Sequence, residues 1–568
     1  MMRLRAAAAA LAAALVAVVL TACAGLPTSG PVNAGVDIPD DGSSSDFVFI
    51  PKGPVDDATP QQIVEGFIAA GSGPGPGANW ATAREFLAPE FRDQWKPAGV
   101  TVYSAGDREP IQEISENEFV LTVTPVATLD AAGELLTDET GEIPLTYTLA
   151  QQSDGQWRIT SAPDGIVLDQ TRFVTVFNTY SLMYFDPTWT YLVPDDRWFP
   201  RVNAATSIAQ ALVNGAPSSW LDGAVATAFT DDARLALAAV PVDADNVARV
   251  SLEEGARGLD QTVLNRMQTQ LTRSLATAGI QGVDMVVDAQ PLPAETVPWR
   301  PTTADSRPLV RTADAFGFAS GNSAGSGTSI EPIAGLSEAM LTVDATDIEV
   351  NADRTTAAVR DAAGAVLMVG ADDAIATLDR RTGLVAPSID PFGFVWSVPA
   401  ASPTAVFAYS ETGAQSAIAG AWPGAVQIVA QRVSRDGTRI AAVVRDGSRY
   451  ALWVAGILRD RDHAPTALGV PKVLATLAGA PTALAWLDAG TLAVLESDDA
   501  EAVLYTHEIG AFGDALRGPE GATTVAGGLP SGVRVRAADG ELYAQRGANW
   551  QHLASGIEVL AVQQGSPR

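Results

Sequence analysis

The sequence predicts a multidomain chain in which two α+β domains precede an all-β propeller of about five or six blades. Three observations carry this. Helical apolar periodicity followed by strand-like segments occurs twice before residue 298. Beyond residue 330 the helical phase stops, and a strand–polar turn–strand unit recurs. Its anchors at Asp353, Ser402, Asp436, Asp488 and Ser531 lie 49, 34, 52 and 43 residues apart. A strand-only period of ~40 residues marks a radial array, whose closure protects sheet edges. The 568 residues suffice for several domains, and an apolar content of 47% supplies their cores.

The chain begins MMRLRAAAAALAAALVAVVL, with Arg3 and Arg5 ahead of an apolar run from Ala6 to Leu20. A basic start, a short apolar core and small residues make a secretory signal rather than a helix of the mature fold. The run ends in Leu20-Thr21-Ala22-Cys23, and Cys23 is the only cysteine. This tetrapeptide resembles the bacterial lipobox. The resemblance implies cleavage before Cys23, leaving an N-palmitoyl, S-diacylglycerol cysteine at the new N-terminus. Residues 1–22 then form a lipoprotein signal peptide, and residues 23–45, rich in Pro, Gly and Ser, a lipidated flexible tether. The mature chain keeps no thiol for a disulfide, a redox motif or a zinc–thiolate site. No other apolar segment of ~18 residues or more is present to span a bilayer. The expected location is the cell membrane, lipid-anchored, on the extracytoplasmic face. A formal net charge of −30 argues against nucleic acid and against broad docking on anionic lipid.

Residues 46–170 read as an α+β cone. TPQQIVEGFIAAG places Ile63, Val64, Phe67 and Ile68 on one helical face behind a Thr59 cap. NWATAREFLAPEFRDQWKP gives a second amphipathic pattern through Ala81, Phe86, Leu87, Phe91 and Trp95. EFVLTVTPVATL alternates through Val120, Thr122 and Thr124, and IPLTYTLAQQSDGQWRIT turns at Asp154-Gly155 like a hairpin.

Residues 171–297 read as a second α+β domain. RFVTVFNTYSLMYFD and YLVPDDRWFP are expected as paired strands about a turn at Asp186-Pro187. NAATSIAQALVNGAP is a short helix with Ile208, Ala211 and Leu212 inward and Gly215 at its stop. NVARVSL is a strand, and a longer helix follows, striped by Val263, Leu264, Met267, Leu271 and Leu275. VDMVVDAQPL closes the unit as a strand. Residues 298–330 are expected as a Gly/Ser-rich linker and 331–568 as the propeller, with Trp396, Trp453, Trp486 and Trp550 packing its blades.

Little points to catalysis. Gly321-Asn322-Ser323-Ala324-Gly325 satisfies G-x-S-x-G, but a nucleophile elbow needs a strand before the serine and a helix after it. Both flanks are Gly/Ser-rich, and no histidine precedes His463, so a flexible loop is expected. His463, His507 and His552 are not paired at metal-ligand spacing. Asp195-Asp196, Asp231-Asp232, Asp372-Asp373 and Asp498-Asp499 read as solvated turn residues, and no calcium-loop pattern occurs. Asp-Gly in SRDG, VRDG and AADG supplies strand-to-strand turns. No phosphate loop or dinucleotide fingerprint is present, so no enzyme activity, cofactor or metal is expected. Two distant carboxylates meeting for glycoside cleavage stay open.

GFIAA, AREFLAPEF and WRITSAPDGI resemble an NTF2-like domain. YLVPDDR, ALVNGAP, ARVSL and VDMVVDAQPL resemble the GerMN domain of germination and sporulation proteins. With the lipobox, the following GLPTSGPV and the C-terminal propeller, the whole chain resembles the actinobacterial lipoprotein LpqB family. That resemblance implies an accessory of the MtrA–MtrB two-component system. It would engage the extracytoplasmic domain of the sensor histidine kinase MtrB and modulate signalling linked to cell-wall homeostasis and division. Only Cys23 carries over as a defined functional residue. Two other readings stand beside it: a cell-wall glycan-binding scaffold, and an extracytoplasmic hydrolase with a carboxylate pair in the propeller mouth.

Overall fold

The computed structural model describes residues 51–75, 79–104, 106, 110–137, 141–320, 329–497, 501–528 and 532–567. The signal peptide, Cys23, the Gly321–Gly325 motif and Asp498-Asp499 lie outside the described residues.

Helix α1 (Pro60–Ala70) starts from a reciprocal cap: Gln62 N–H donates to Thr59 Oγ1, and Thr59 N–H donates to Gln62 Oε1. Its Ile63, Val64, Phe67 and Ile68 are buried. The second amphipathic stretch is two short turns, Ala81–Arg84 and Pro89–Arg92. Pro89 forces the break, because the residue before a proline is pushed out of the helical region, and Ala88 is extended.

Two four-stranded sheets follow. One runs Leu135–Leu136, Pro125–Leu129, Val100–Tyr103, Ile166–Asp169; the other runs Gln112–Ser115, Glu118–Val123, Ile143–Gln151, Trp157–Ser161. Along Glu118–Val123 burial falls on Phe119, Leu121 and Val123, leaving Val120 and Thr122 as the outer set. Phe67 meets Trp95 and Tyr147 at centroid distances of 5.2 and 6.1 Å inside the cone. The cavity beside them measures about 10 Å³, at the lower limit for a single water.

Asp169 caps helix α2 (Gln170–Val176), accepting from Arg172 N–H. RFVTVFNTYSLMYFD is therefore helix in its first part, and the strand begins at Phe177. Strand Phe177–Phe185 then pairs antiparallel with Leu192–Pro200. Helices α3 (Ala204–Asn214) and α4 (Gln261–Ala276) share its core through Ile208, Leu212, Leu264, Met267, Leu271 and Leu275. Val247–Leu252 runs parallel to Gly282–Val287.

Six blades make up the propeller among the described residues. Blades 2 to 6 begin with strands Ala345–Val350, Ser388–Ile389, Gln427–Val433, Pro481–Trp486 and Ala522–Ala526. Blade 1 is composite: Leu309–Arg311, Phe316–Ser320 and Ser329–Pro332 are completed by Val559–Gln563 from the C-terminus. That last strand also pairs in parallel with Ala345–Val350 of blade 2. Part of 298–330, expected as linker, thus belongs to the propeller. Its apolar residues Leu309, Val310, Phe316 and Phe318 are all buried.

Deleting residues 558–568 is expected to strip Leu309–Arg311 of its antiparallel partner. Hydrogen exchange should then accelerate in blade 1 before blades 3 to 5. Unchanged protection of Leu309–Arg311 would show that the C-terminal strand does not hold the ring.

Candidate functional sites at the propeller axis and the domain seams

The sequence-marked residues do not gather into one centre. His463 lies in a turn and stacks on Phe392 at 5.6 Å. His507 stacks on Tyr505 at 6.2 Å in blade 5, and burial pushes its pKa down. His552 pairs with Glu541 in blade 6. Among the described residues no group of three or more His, Cys, Asp or Glu side chains is placed to hold a metal ion. Asp231-Asp232 and Asp372-Asp373 are exposed. Trp396, Trp453 and Trp486 are buried in their blades, while Trp550 is partly exposed and donates to Arg517 O at 2.8 Å.

The axis of the propeller is filled by its own polar side chains. Arg435, in the SRDG stretch read as a plain turn, donates to Trp486 O at 2.9 Å, Leu487 O at 3.0 Å, Gly527 O at 2.6 Å and Gln563 O at 3.3 Å. One guanidinium therefore ties blades 4, 5 and 6 to the closing strand. Burial pulls its pKa down to about 10 against the charges of Asp488, Glu349 and Asp436. The neighbouring Asp436 is fully buried, accepts from Ser434 Oγ and Thr438 N–H, and pairs with Arg439. It fixes the loop that aims Arg435.

Glu349 of blade 2 is 1% exposed. It accepts from Ser388 Oγ at 2.6 Å, from Ile389 N–H at 3.1 Å and from Gln564, with Arg432 Nε 3.5 Å away. Burial raises its pKa, and Arg432 and these donors oppose the rise. This carboxylate is surrounded by donors rather than matched with a second acid, so it does not form a glycosidase-type pair.

The domain seams depend on the hairpin Phe177–Phe185/Leu192–Pro200. Here the sequence reading needs correction: Asp195 and Asp196 are 2% and 8% exposed, not solvated. Adjacent strand residues point to opposite faces, and both faces are covered. Asp195 accepts from Arg197 at 2.7 Å, from Ser218 N–H at 2.9 Å and from Ser218 Oγ at 2.6 Å. Arg197 in turn donates to Ala132 O of the cone at 3.1 Å.

Asp196 accepts from Ser181 and faces the propeller. A Cβ at Gly490 would lie 3.3 Å from its Oδ2, and one at Gly510 would lie 2.9 Å from its backbone oxygen. At Gly510, with φ 83°, only glycine allows so close an approach. Beside it Trp198 Nε1 donates to Gly510 O at 2.6 Å, and Phe173, Trp198 and Phe512 cluster at 4.7 to 6.2 Å. Thr137 donates to Leu474 O at 3.1 Å, and Lys472 sits 3.8 Å from Glu134. A cleft of about 650 Å³ remains between cone and propeller, walled by Val126, Val473, Tyr505, His507 and Phe512 among others.

Burial pushes the Asp196 carboxyl up to about 7, helped by the charges of Glu508 and Asp195 and opposed by Ser181 and Arg439. Burial and Asp488 raise Glu508 as well. A carboxyl raised in the folded state contributes stability that is complete below its ordinary pKa and lost as pH rises through the folded value. The melting temperature should therefore fall between about pH 4 and 7 and level off above, and Asp196→Asn should flatten that fall. Parallel curves for both proteins would rule out this seam as the source. Arg435→Met removes the donor to four carbonyls, two of them fully buried and two partly so, and should cost about 3 kcal/mol in denaturant unfolding. An unshifted midpoint would show that the axis does not depend on it.

Three family models match in chain order: "Lipoprotein LpqB, N-terminal domain" over residues 53–174, "Sporulation and spore germination" over 181–293, and "Lipoprotein LpqB beta-propeller domain" over 323–560. A lipoprotein LpqB of Bifidobacterium longum is 32% identical over 45% of this chain and 46% of its own length. One from Thermobifida fusca is 32% identical over 47% of this chain and 44% of its own. The chain thus spans about half the length of these two relatives. A lipoprotein LpqB of Rhodococcus opacus is 26% identical and aligns over 88% of this chain and 87% of its own. With all three modules in this order and a relative aligned along most of its length, the chain belongs to the lipoprotein LpqB family.

Proposed function

We propose that this protein is a membrane-anchored extracytoplasmic lipoprotein that binds and modulates an MtrB-like sensor histidine kinase, in signalling linked to cell-wall homeostasis and division. It is read as a recognition body rather than an enzyme. The observation that carries this is the welding of cone, hairpin domain and propeller into one body, with the propeller axis closed by Arg435 and Glu349. Such a body offers extended surfaces of fixed relative geometry. The kinase itself comes from the family resemblance, and the anchor from Cys23 in its lipobox.

Among the described residues no helix is long and apolar enough to cross a membrane, and an acyl group on Cys23 would hold the chain at the bilayer surface. Tethering to the same membrane as the kinase replaces bulk concentration by a higher effective one. Modulation further requires unequal affinity for two kinase states, because equal binding shifts no population.

Co-reconstitution of the full lipidated chain with the kinase in vesicles tests this. Autophosphorylation is expected to change saturably with added lipoprotein, and the effect is expected to weaken when Cys23→Ser leaves the chain unanchored. A rate indifferent to saturating lipoprotein refutes the kinase reading. Sedimentation of the chain with purified cell wall, but not with kinase vesicles, would favour the glycan scaffold instead.

A further inference from the structure

The turn at Asp186-Pro187 builds a second feature unrelated to the seams. Asp186 is fully buried, and its carboxylate accepts from Thr188 N–H at 2.9 Å, Thr190 N–H at 2.7 Å and Tyr191 N–H at 2.6 Å. Tied in this way, the turn holds Trp189 at φ 61°, a left-handed conformation that a bulky residue adopts only at a cost. The ring packs on Phe185 at 5.1 Å and forms one wall of a cleft of about 470 Å³. Trp299 and Arg300 form another wall, and Ser566 and Pro567 of the C-terminal tail close the end. The second wall is fixed to the first by Arg300 N–H donating to Thr190 O at 2.7 Å.

Both indoles are backed by arginines of helix α4. The Arg266 guanidinium lies 3.9 Å from the Trp189 ring centre, and that of Arg273 lies 3.8 Å from Trp299. The two are seven residues apart, so they stand on one helical face. Arg300 lines the cleft directly, bonded to Asp353 at 2.9 Å. In a chain of net charge −30, neither Arg266 nor Arg273 has an acidic partner among the described residues. Arg273 Nε is buried with no hydrogen-bond acceptor. Positive charge is thus concentrated beside two immobilised aromatic faces.

We propose that this cleft binds an anionic saccharide. The apolar C–H face of a pyranose carries partial positive charge and stacks on the negative face of an indole. Thr190 and Thr303 bring hydroxyls to the lining, where Arg300 stands directly, and the charges of Arg266 and Arg273 behind the two rings add a positive potential that attracts a carboxylate or phosphate on the sugar. A proline-rich peptide also suits an aromatic groove, but it brings no charge for Arg266 and Arg273 to answer. The site stands apart from the kinase reading, and either can fail without the other.

Calorimetric titration of the full chain in detergent tests it with three probes: a tetrasaccharide alternating glucuronate and N-acetylglucosamine, the neutral N-acetylglucosamine tetramer, and a polyproline peptide. The charged sugar should bind at least about tenfold tighter than the neutral one, with the advantage shrinking in high salt. Trp189→Gly suits the left-handed turn but removes the ring packed on Phe185, so it should lower the melting temperature modestly and weaken binding by about tenfold. Hydrogen exchange on the unaltered chain, independent of any variant's folding, should show sugar-induced protection confined to 186–191 and 299–303. No binding by the charged sugar, equal binding of both sugars, polyproline binding that displaces the charged sugar, or protection elsewhere overturns the proposal.

Discussion

Strand Val559–Gln563 has partners of opposite sense on its two sides, antiparallel to Leu309–Arg311 and parallel to Ala345–Val350. Without it the propeller would be an open array with an unpaired edge at each end, and exposed edges invite association. Its far end also supplies Gln563 O to Arg435 and Gln564 to Glu349, so ring closure and axial packing are completed by the same few residues. The closing strand further brings Ser566 to within 3.3 Å of Arg300, where the chain enters the propeller from the preceding domain. The closure of the ring and the point at which the chain enters it therefore follow from one returning strand.

The seams show a division of labour among buried charges. Asp195 and Arg197 neutralise one another between cone and hairpin domain, and their other polar atoms, Arg197 Nε excepted, find Ser218, Ala132 and Ala216. Such a pair contributes little net stability over apolar residues of the same shape, yet loss of one partner costs about 3–5 kcal/mol. It selects one docking geometry rather than strengthening docking in general. Asp196, one residue on, has no ion-pair partner among the described residues and faces Glu508 across the seam. The same strand therefore carries one compensated and one uncompensated acid, and the interface against blade 5 is the softer of the two.

What could be read from the sequence was what is local. The stripes of α1 and α4 are fixed by spacing within a few turns, and Thr59 and Gly215 mark helix ends by their own chemistry. Five propeller units show as repeats because each is contiguous; blade 1 does not, because one of its four strands, Val559–Gln563, comes from the far end of the chain. The segment Gln170–Val176 misleads because FVTV has strand composition, while the deciding signal is a single Asp169 cap. Asp195-Asp196 looked solvated because two adjacent acids leave no trace of which domains cover the two faces of their strand. Arg435 was hidden inside a turn motif that explains the backbone but not the side chain. The lipobox cysteine is legible from sequence and lies outside the described residues.

The composite blade also imposes an order in time. A chain made from its N-terminus can complete the cone and the hairpin domain from contiguous sequence, but Leu309–Arg311 emerges long before Val559–Gln563 exists. Until the last residues appear, the early strands of blade 1 and the inner edge of blade 2 remain without their partner, and the Arg435 carbonyl cluster lacks one of its four acceptors. Long-range pairing of this kind is slow, and its exposed intermediates are prone to associate. The final strand therefore acts as a completeness check: a chain interrupted before it keeps an open sheet edge, a template on which another chain can pair.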